Sequence, residues 1–401
     1  MFTVCLQNGV QKKIAAGHPW VYRNQIDPQT WQSDGKSDGT LPAPGDLVEV
    51  RDFRQRYLGT GFYNPASMLT IRLLVRHHER IDQDLIQRRV RDAVAYRQYF
   101  RRAGTDSCRL VFGEADRLPG VIADQFANTV ILQILALGME KWLPVIADTL
   151  ISEVHPANLI VQNEEIIRQK EGLPLYRRVY AGEDPGQVQI LENGLSMLVD
   201  LAEGQKTGYF LDQKANHAAL RPFVQGKRVL DCFSYVGGFA LNAAAGGASE
   251  VIAVDISEAA LELGRRNAGL NQLEGRMSWI AANAFDYLRE AVQRQERFDV
   301  VVLDPPAFAK SHSAQAAAVR GYKEINLSAL RLLGPGGILA THSCSFHMPE
   351  QLFVETVLEA ARDARRTVRI IDIRRQDYDH PVLAGYPESH YLKSLWLQVL
   401  E

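Results

Sequence analysis

Cysteine is scarce in this chain. The four in 401 residues (Cys5, Cys108, Cys232, Cys344) lie so far apart that no pair has the spacing of a metal site or a disulfide framework. All four are expected as reduced thiols, with no metal. Long apolar runs are missing too: nothing approaches the roughly 18 residues that a membrane helix needs. Met1-Phe2-Thr3-Val4 opens no charged, apolar, small-residue leader, so a cytoplasmic chain without membrane contact is expected. An excess of one charge is also absent, since 45 Lys and Arg against 47 Asp and Glu leave a net charge of -2. A polyanion partner must therefore be met by a local basic patch.

One such patch is present. Between Arg72 and Arg102 nine arginines (72, 76, 80, 88, 89, 91, 97, 101, 102) face four acids (Glu79, Asp82, Asp84, Asp92). The planar guanidinium suits phosphates and base stacking, although a solvated helix face is the plainer reading. Hydrophobic content of 46% and charged content of 23% are ordinary for a globular protein, and the length predicts two or three domains.

Residues 1–74 carry short apolar runs (Val21 to Ile26, Asp46 to Val50, Tyr57 to Tyr63, Met68 to Leu74) punctuated by Gly17-His18-Pro19-Trp20 and Pro42-Ala43-Pro44-Gly45. This predicts a small β barrel or sandwich, with Gln32 to Gly39 as a polar loop. Residues 75–186 predict an α+β unit. It has a helix over Asp82 to Arg102, strands at Arg109 to Phe112, Val121 to Phe126 and Val130 to Leu135, a helix over Met139 to Val154 and a strand at Asn158 to Gln162. A linker at Gly182 to Gly186 and a hairpin over Gln187 to Asp200, turning at Asn193-Gly194, lead into residues 187–401. There strand and helix alternate, with strands at Arg228 to Phe233, Glu250 to Ile256, Met277 to Ala281, Phe298 to Asp304, Gly337 to Cys344, Val368 to Ile373 and Ser394 to Leu400. Continuous apolar strands such as Val300 to Leu303 fit a parallel sheet buried on both faces. A doubly wound α/β domain follows, and its ligands bind outside the carboxyl ends of the strands.

Those ends carry the chemistry. The first runs Asp231-Cys232-Phe233-Ser234-Tyr235-Val236-Gly237-Gly238-Phe239, in which glycines admit a ligand close to the backbone. The G-x-G-x-x-G spacing of a dinucleotide site is absent, and Asp231 would repel a phosphate while suiting an ammonium. Asp255 ends the second strand, where an acid accepts hydrogen bonds from the ribose hydroxyls of an adenosine. Asn283 or Asp286 after the third suits an adenine edge and Phe285 its face. Together these imply S-adenosylmethionine. The loop Gly204 to Gln213 is expected to fold over it, with Gln213 or Asp212 at the methionine part.

The fourth strand ends Asp304-Pro305-Pro306-Ala307-Phe308. Two prolines fix a donor-free turn whose carbonyls accept from a base amino group, and Phe308 can stack on that base. The fifth ends His342-Ser343-Cys344-Ser345 at the same sheet edge. Amino-group methylation needs no thiol. Carbon 5 of a pyrimidine becomes nucleophilic only after a thiolate adds at carbon 6, which gives Cys344 a role. Strand alternation puts His342 on the face of Cys344, where it either lowers the thiol pKa or only packs. Cys232 is expected to point into the sheet, and Cys5 and Cys108 to be inert.

Gly17-His18-Pro19-Trp20-Val21-Tyr22, Glu114-Ala115-Asp116-Arg117-Leu118-Pro119-Gly120, Gly204 to Gln213, Asp231 to Phe239, Asp304-Pro305-Pro306 and Ser343-Cys344-Ser345 resemble the bacterial 23S rRNA large-subunit methyltransferase I family, which makes 5-methylcytosine. The similarity covers essentially the whole chain. It implies a PUA domain over 1–74, a central α+β domain over 75–186 and a Rossmann-like class I methyltransferase domain over 187–401. It also implies S-adenosylmethionine as cofactor, 23S rRNA in a single-stranded or loop region as partner, and a monomer or homodimer. Cys344 becomes the nucleophile and Asp304 the group on ring nitrogen 3. Gln213, Asp231, Phe233, Tyr235, Gly237, Asp255, Asn283 and Phe285 line the cofactor, and Pro305, Pro306 and Phe308 the base. Many RNA cytosine methyltransferases have a second cysteine after the two prolines, where this chain has Ala307. The group that helps eject the thiol is thereby unassigned. Two rivals stand: an amino-methylating enzyme that ignores Cys344, and a non-catalytic PUA-type RNA-binding protein.

Overall fold

The computed structural model describes every residue except 37, 38, 203, 205, 206 and 310, and His312 without its side chain. Parts of the two polar loops expected above (Ser37, Asp38, Gln205, Lys206) thus lie outside the described residues. The first 75 residues form a six-stranded sheet whose interior is Val4, Ile14, Val21, Val48, Val50 and Ile71. The alternation of buried and half-buried positions along Leu47–Arg51 is that of a strand with one face in the core.

The next unit is a five-stranded sheet with helices on one face. Asp82 caps the helix Gln83–Gln98 by accepting from the Leu85 amide at 3.1 Å, and Ile86, Val90, Ala93 and Val94 face inward. Phe100 lies past the helix end and stacks on Tyr378 at 4.7 Å. The helix expected over Met139 to Val154 is two, Leu137–Glu140 and Leu143–Val154. Pro144, at the second position of the latter, has no amide to donate and starts a helix rather than continuing one. An additional edge strand, Tyr176–Ala181, pairs with Asn158–Asn163.

The hairpin Gln187–Glu192 and Leu195–Asp200 turns through Asn193 and Gly194, both with positive φ. It lies on the helix Glu258–Leu270, where Asn267 accepts from the Leu198 amide at 2.6 Å. Its apolar side packs with Phe126, Ile131 and Ile160 of the five-stranded sheet, joining the two units through one core.

The last domain is built on seven strands: β1 Arg228–Cys232, β2 Glu250–Asp255, β3 Met277–Ala281, β4 Phe298–Leu303, β5 Leu333–Ser343, β6 Val368–Arg374 and β7 Lys393–Val399. Their order is β3-β2-β1-β4-β5-β7-β6, parallel except for β7, which runs antiparallel to β5 and β6. The reversal of order beside β1 opens the crevice at the carboxyl edge where ligands bind.

The basic run is divided between interior and surface: Arg89 and Arg97 are buried, whereas Arg80, Arg88, Arg91 and Arg101 are exposed. Arg72 pairs with Glu114 at 2.8 Å and Glu171 at 3.2 Å, Arg97 with Asp116 at 2.6 Å, and Arg91 with Glu153 at 3.1 Å. Arg88 pairs with Glu79, and Arg89 donates to the Arg117 carbonyl. Partners distant in sequence thus hold Arg72, Arg91 and Arg97, while the exposed Arg80, Arg88, Arg91 and Arg101 fit the plainer reading of a solvated face. Some of these pairs join domains. Trp20 donates to Glu114 at 2.7 Å, and His18 contacts Glu388 at 3.1 Å. Arg102 reaches Asp377 at 2.9 Å, and the buried Lys214 ammonium reaches Asp379 at 2.5 Å. Among the described residues no helix is long and apolar enough to cross a membrane.

Candidate active site

The loop after β1 departs from ordinary backbone, with Phe233, Tyr235 and Gly237 all at positive φ (64, 50 and 88°). Side-chain-bearing residues in this region are uncommon and cluster at functional sites. Two anchors hold them: the Tyr235 amide donates to Asp255 Oδ2 at 2.9 Å, and the Ser234 amide to the Val254 carbonyl at 3.1 Å. Glycine is needed at 237, where a Cβ would lie 2.5 Å from the Trp279 ring, and at 238, where it would lie 2.4 Å from His217 Cε1.

Over this loop and the carboxyl edge of the sheet lies a cleft of about 340 Å³. Phe233, Tyr235, Asp255, Asn283 and Phe285 line one part, and Gln213, Asp304, Pro305, Pro306, Phe308 and Cys344 another. Asp286 faces away, with its carboxylate 2.7 Å from Arg289. Asp231 and Gly237, expected at the cofactor, are not in the wall. Asp231 is 1% exposed, and one oxygen accepts from the Ala240 amide at 2.9 Å. Its other oxygen is buried with no hydrogen-bond partner among the described residues. Burial, then the charges of Asp304 and Asp255, hold its carboxyl well above the usual carboxylate range. Gly237 begins the helix Gly238–Ala245 from behind the cleft.

Gln213 is turned toward Asp304. Its Nε2 donates to Asp304 Oδ1 at 3.0 Å, its Oε1 accepts from Asn216 at 2.7 Å, and Arg374 donates to Asn216 at 2.9 Å. This relay fixes the Asp304 carboxylate in the cleft. Phe308 packs with Tyr322 at 4.7 Å and Phe285 at 5.7 Å.

Cys344 sits one residue past β5, with Sγ 3.9 Å from the Pro305 carbonyl oxygen, so the thiol and the Asp-Pro-Pro turn share one wall. The flanking serines are clamped by Tyr322, which accepts from Ser343 at 2.9 Å and contacts Ser345 Oγ at 3.0 Å. Burial pushes the Tyr322 hydroxyl up to about 12, so it stays neutral. Sequence reasoning missed Tyr322, and also Lys393, whose ammonium donates to the Ser345 carbonyl at 2.6 Å. Cys232 is fully buried and inert, its thiol held well above the ordinary range by burial.

His342 does not face the thiol. Its ring lies 4.8 Å from Phe239, its Nδ1 is 3.0 Å from the Leu303 carbonyl, and burial pushes its pKa down to about 3. The expectation that it shares the face of Cys344 is corrected: β5 ends at Ser343, so strict alternation stops there. A folded pKa below the unfolded one means that the unfolded chain binds a proton the fold refuses. Stability should therefore fall as pH drops from about 6.5 toward 3. Urea melts at pH 7 and pH 5 should show His342→Gln losing about 2 kcal/mol less than wild type over that step. Equal losses would place the acid sensitivity elsewhere.

The acid-lined cleft suits a cationic ligand. Asp255 and Asp304 line it beside aromatic rings and Gly238, and Asp231, with a buried unpartnered oxygen, lies behind the wall. S-adenosylmethionine, with its sulfonium, ammonium and adenine, fits these residues. Residues 149–372 match the family described as S-adenosylmethionine-dependent methyltransferase, and residues 4–76 a PUA-like domain. A structure from Streptococcus mutans superimposes with a TM-score of 0.83 at 21% identity, covering 100% of both chains. A methyltransferase structure complexed with SAH superimposes at 0.84, also at 21% identity and full coverage, a likeness of fold. Fold and site together define a SAM-dependent methyltransferase carrying a PUA-like domain. Relatives named ribosomal RNA large subunit methyltransferase I, from Enterobacter sp. (strain 638) and Cronobacter sakazakii, are 39% identical over 400 residues, 98% of each chain. The chain belongs to the ribosomal RNA large subunit methyltransferase I family.

Proposed function

We propose that the chain methylates carbon 5 of a cytosine in 23S rRNA, in the cytoplasm, with Cys344 as covalent nucleophile and Asp304 as the group on ring nitrogen 3. The observation that carries the reading is the shared wall: Cys344 Sγ lies 3.9 Å from the carbonyl oxygen of Pro305, the residue after Asp304. A thiol so placed has no task in amino-group methylation. The rRNA substrate is carried over from the relatives' names, and residues 1–74, 75–186 and 187–401 are taken as RNA-binding, central and catalytic domains.

In this reading a cytosine from a single-stranded or loop region is flipped into the cleft beside Phe308, Pro305 and Pro306. Unstacking costs a few kcal/mol, which contacts made by residues 1–74 offset. The Cys344 thiolate adds at carbon 6 while Asp304, which takes up a proton in the substrate complex, donates it to nitrogen 3, so carbon 5 becomes nucleophilic. Bound S-adenosylmethionine supplies an electrophilic methyl group. Loss of the carbon 5 proton to a base, and of the nitrogen 3 proton back to Asp304, then expels the thiolate and restores the ring. Asp255 takes the ribose hydroxyls, Phe233, Phe285 and Asn283 the adenine, and Gln213 with Tyr235 the remainder. Asp231 and Gly237 act behind the wall, by charge and by shape. The test is a trap: RNA containing 5-fluorocytosine should form a denaturation-resistant adduct with the protein in the presence of S-adenosylmethionine. Methylation of an exocyclic amino group without an adduct would overturn the reading.

A further inference from the structure

We propose that Lys393 is a cation that holds the Cys344 thiol in its nucleophilic form; it acts as a positioning residue, and the proposal rests on the reading of Cys344 given above. Lys393 opens β7 and stands opposite Ser343 in the antiparallel register with β5. Its ammonium donates to the carbonyls of Ser345 at 2.6 Å and Tyr391 at 2.7 Å. Cys344 is thereby bracketed: the register partner of Lys393 precedes it, and the hydrogen-bond acceptor of Lys393 follows it.

The lysine is also an anomaly. It is 3% exposed, yet among the described residues no carboxylate lies within ion-pair reach of it. The equally buried Lys214 has Asp379 at 2.5 Å. An ammonium withdrawn from water without an anion is strongly unfavourable. A thiolate formed at Cys344 supplies the missing counter-charge. Burial pushes Lys393 down to about 8, while Cys344 and then Glu350 pull it up, so the ammonium is charged at neutral pH.

Among the described groups around the pair, Tyr322, Tyr391, Asp304, Glu350, His390 and His342 do not do this task. Tyr322, from the helix Gln315–Leu332, is neutral and held by Ser343. Tyr391 donates to Asp212, and burial, then the charge of Asp212, holds it neutral. Asp304 at the end of β4 and Glu350 on the helix Glu350–Asp363 are acids, which disfavour a thiolate. His390 and His342 are both pushed down by burial.

The test is the pH dependence of Cys344 alkylation by iodoacetamide in the full-length protein, followed by peptide mass spectrometry. Wild type should reach its half-maximal rate clearly below the free-thiol value of about 8.5. Lys393→Met should move that midpoint up by at least about one unit, slowing alkylation at pH 7 about tenfold, and Lys393→Arg should restore most of it. Superimposed profiles for wild type and Lys393→Met overturn the proposal. A wild-type midpoint at or above about 8.5 overturns it without any variant. Methyl transfer surviving in Cys344→Ala would instead remove the nucleophile reading while leaving the alkylation result standing.

Discussion

Cys344→Ala should lower methyl transfer to rRNA by at least about 10⁴-fold while changing S-adenosylmethionine affinity by no more than about threefold. The size of the loss follows from the chemistry. Without a thiolate at carbon 6 the pyrimidine ring has no enamine character at carbon 5, and no neighbouring side chain replaces the missing bond. The smallness of the binding effect follows from placement. Of the groups proposed to hold the adenosine, Asp255 ends β2 and Asn283 and Phe285 follow β3, whereas Cys344 follows β5. Removing one sulfur leaves the Ser343–Tyr322–Ser345 clamp intact. Transfer of labelled methyl to rRNA and calorimetric titration with the cofactor measure the two quantities. An active Cys344→Ala protein would transfer the assignment to an amino-methylating enzyme that uses only the Asp-Pro-Pro turn.

Burial on both faces is what made the last domain legible. Val300 to Leu303 is fully buried, and a run of that kind has few other places in a fold. Once the strands are parallel, topology brings their carboxyl ends to one edge, and Asp255, Asn283, Asp304 and Cys344 come together without further information. Lys393 escaped the same logic because β7 is antiparallel: its amino end, not its carboxyl end, reaches that edge. The strand Tyr176–Ala181 escaped because it is an edge strand whose central Arg178 and Val179 are exposed, so its pattern carries no buried face. The partners of the arginine run were hidden for a different reason. Its counter-charges, Glu114, Asp116, Glu153 and Glu171, come from other elements, and pairing across such distances leaves no local trace in the chain.

Asp304→Asn is the complementary experiment, and it should separate activity from stability. If Asp304 gives a proton to nitrogen 3, the amide loses about 10²- to 10⁴-fold in kcat, the usual contribution of a positioned acid. Its shape is preserved, and its side-chain oxygen still accepts from Gln213 Nε2, which in wild type lies 3.0 Å from Oδ1. The fold gains, because Asp304 is one of the charges that force the buried Asp231 carboxyl above its ordinary range. A raised carboxyl pKa is a stability contribution present at low pH and lost as pH rises toward the folded value. Removing the neighbouring charge returns part of that loss at neutral pH, a gain on the order of 1 kcal/mol and about 2–4 °C in Tm. Thermal melts at pH 7 beside rRNA methylation rates would measure both. A variant that is slower and more stable marks Asp304 as a reacting group kept at the expense of the fold; one that loses activity and stability together marks it as a strut.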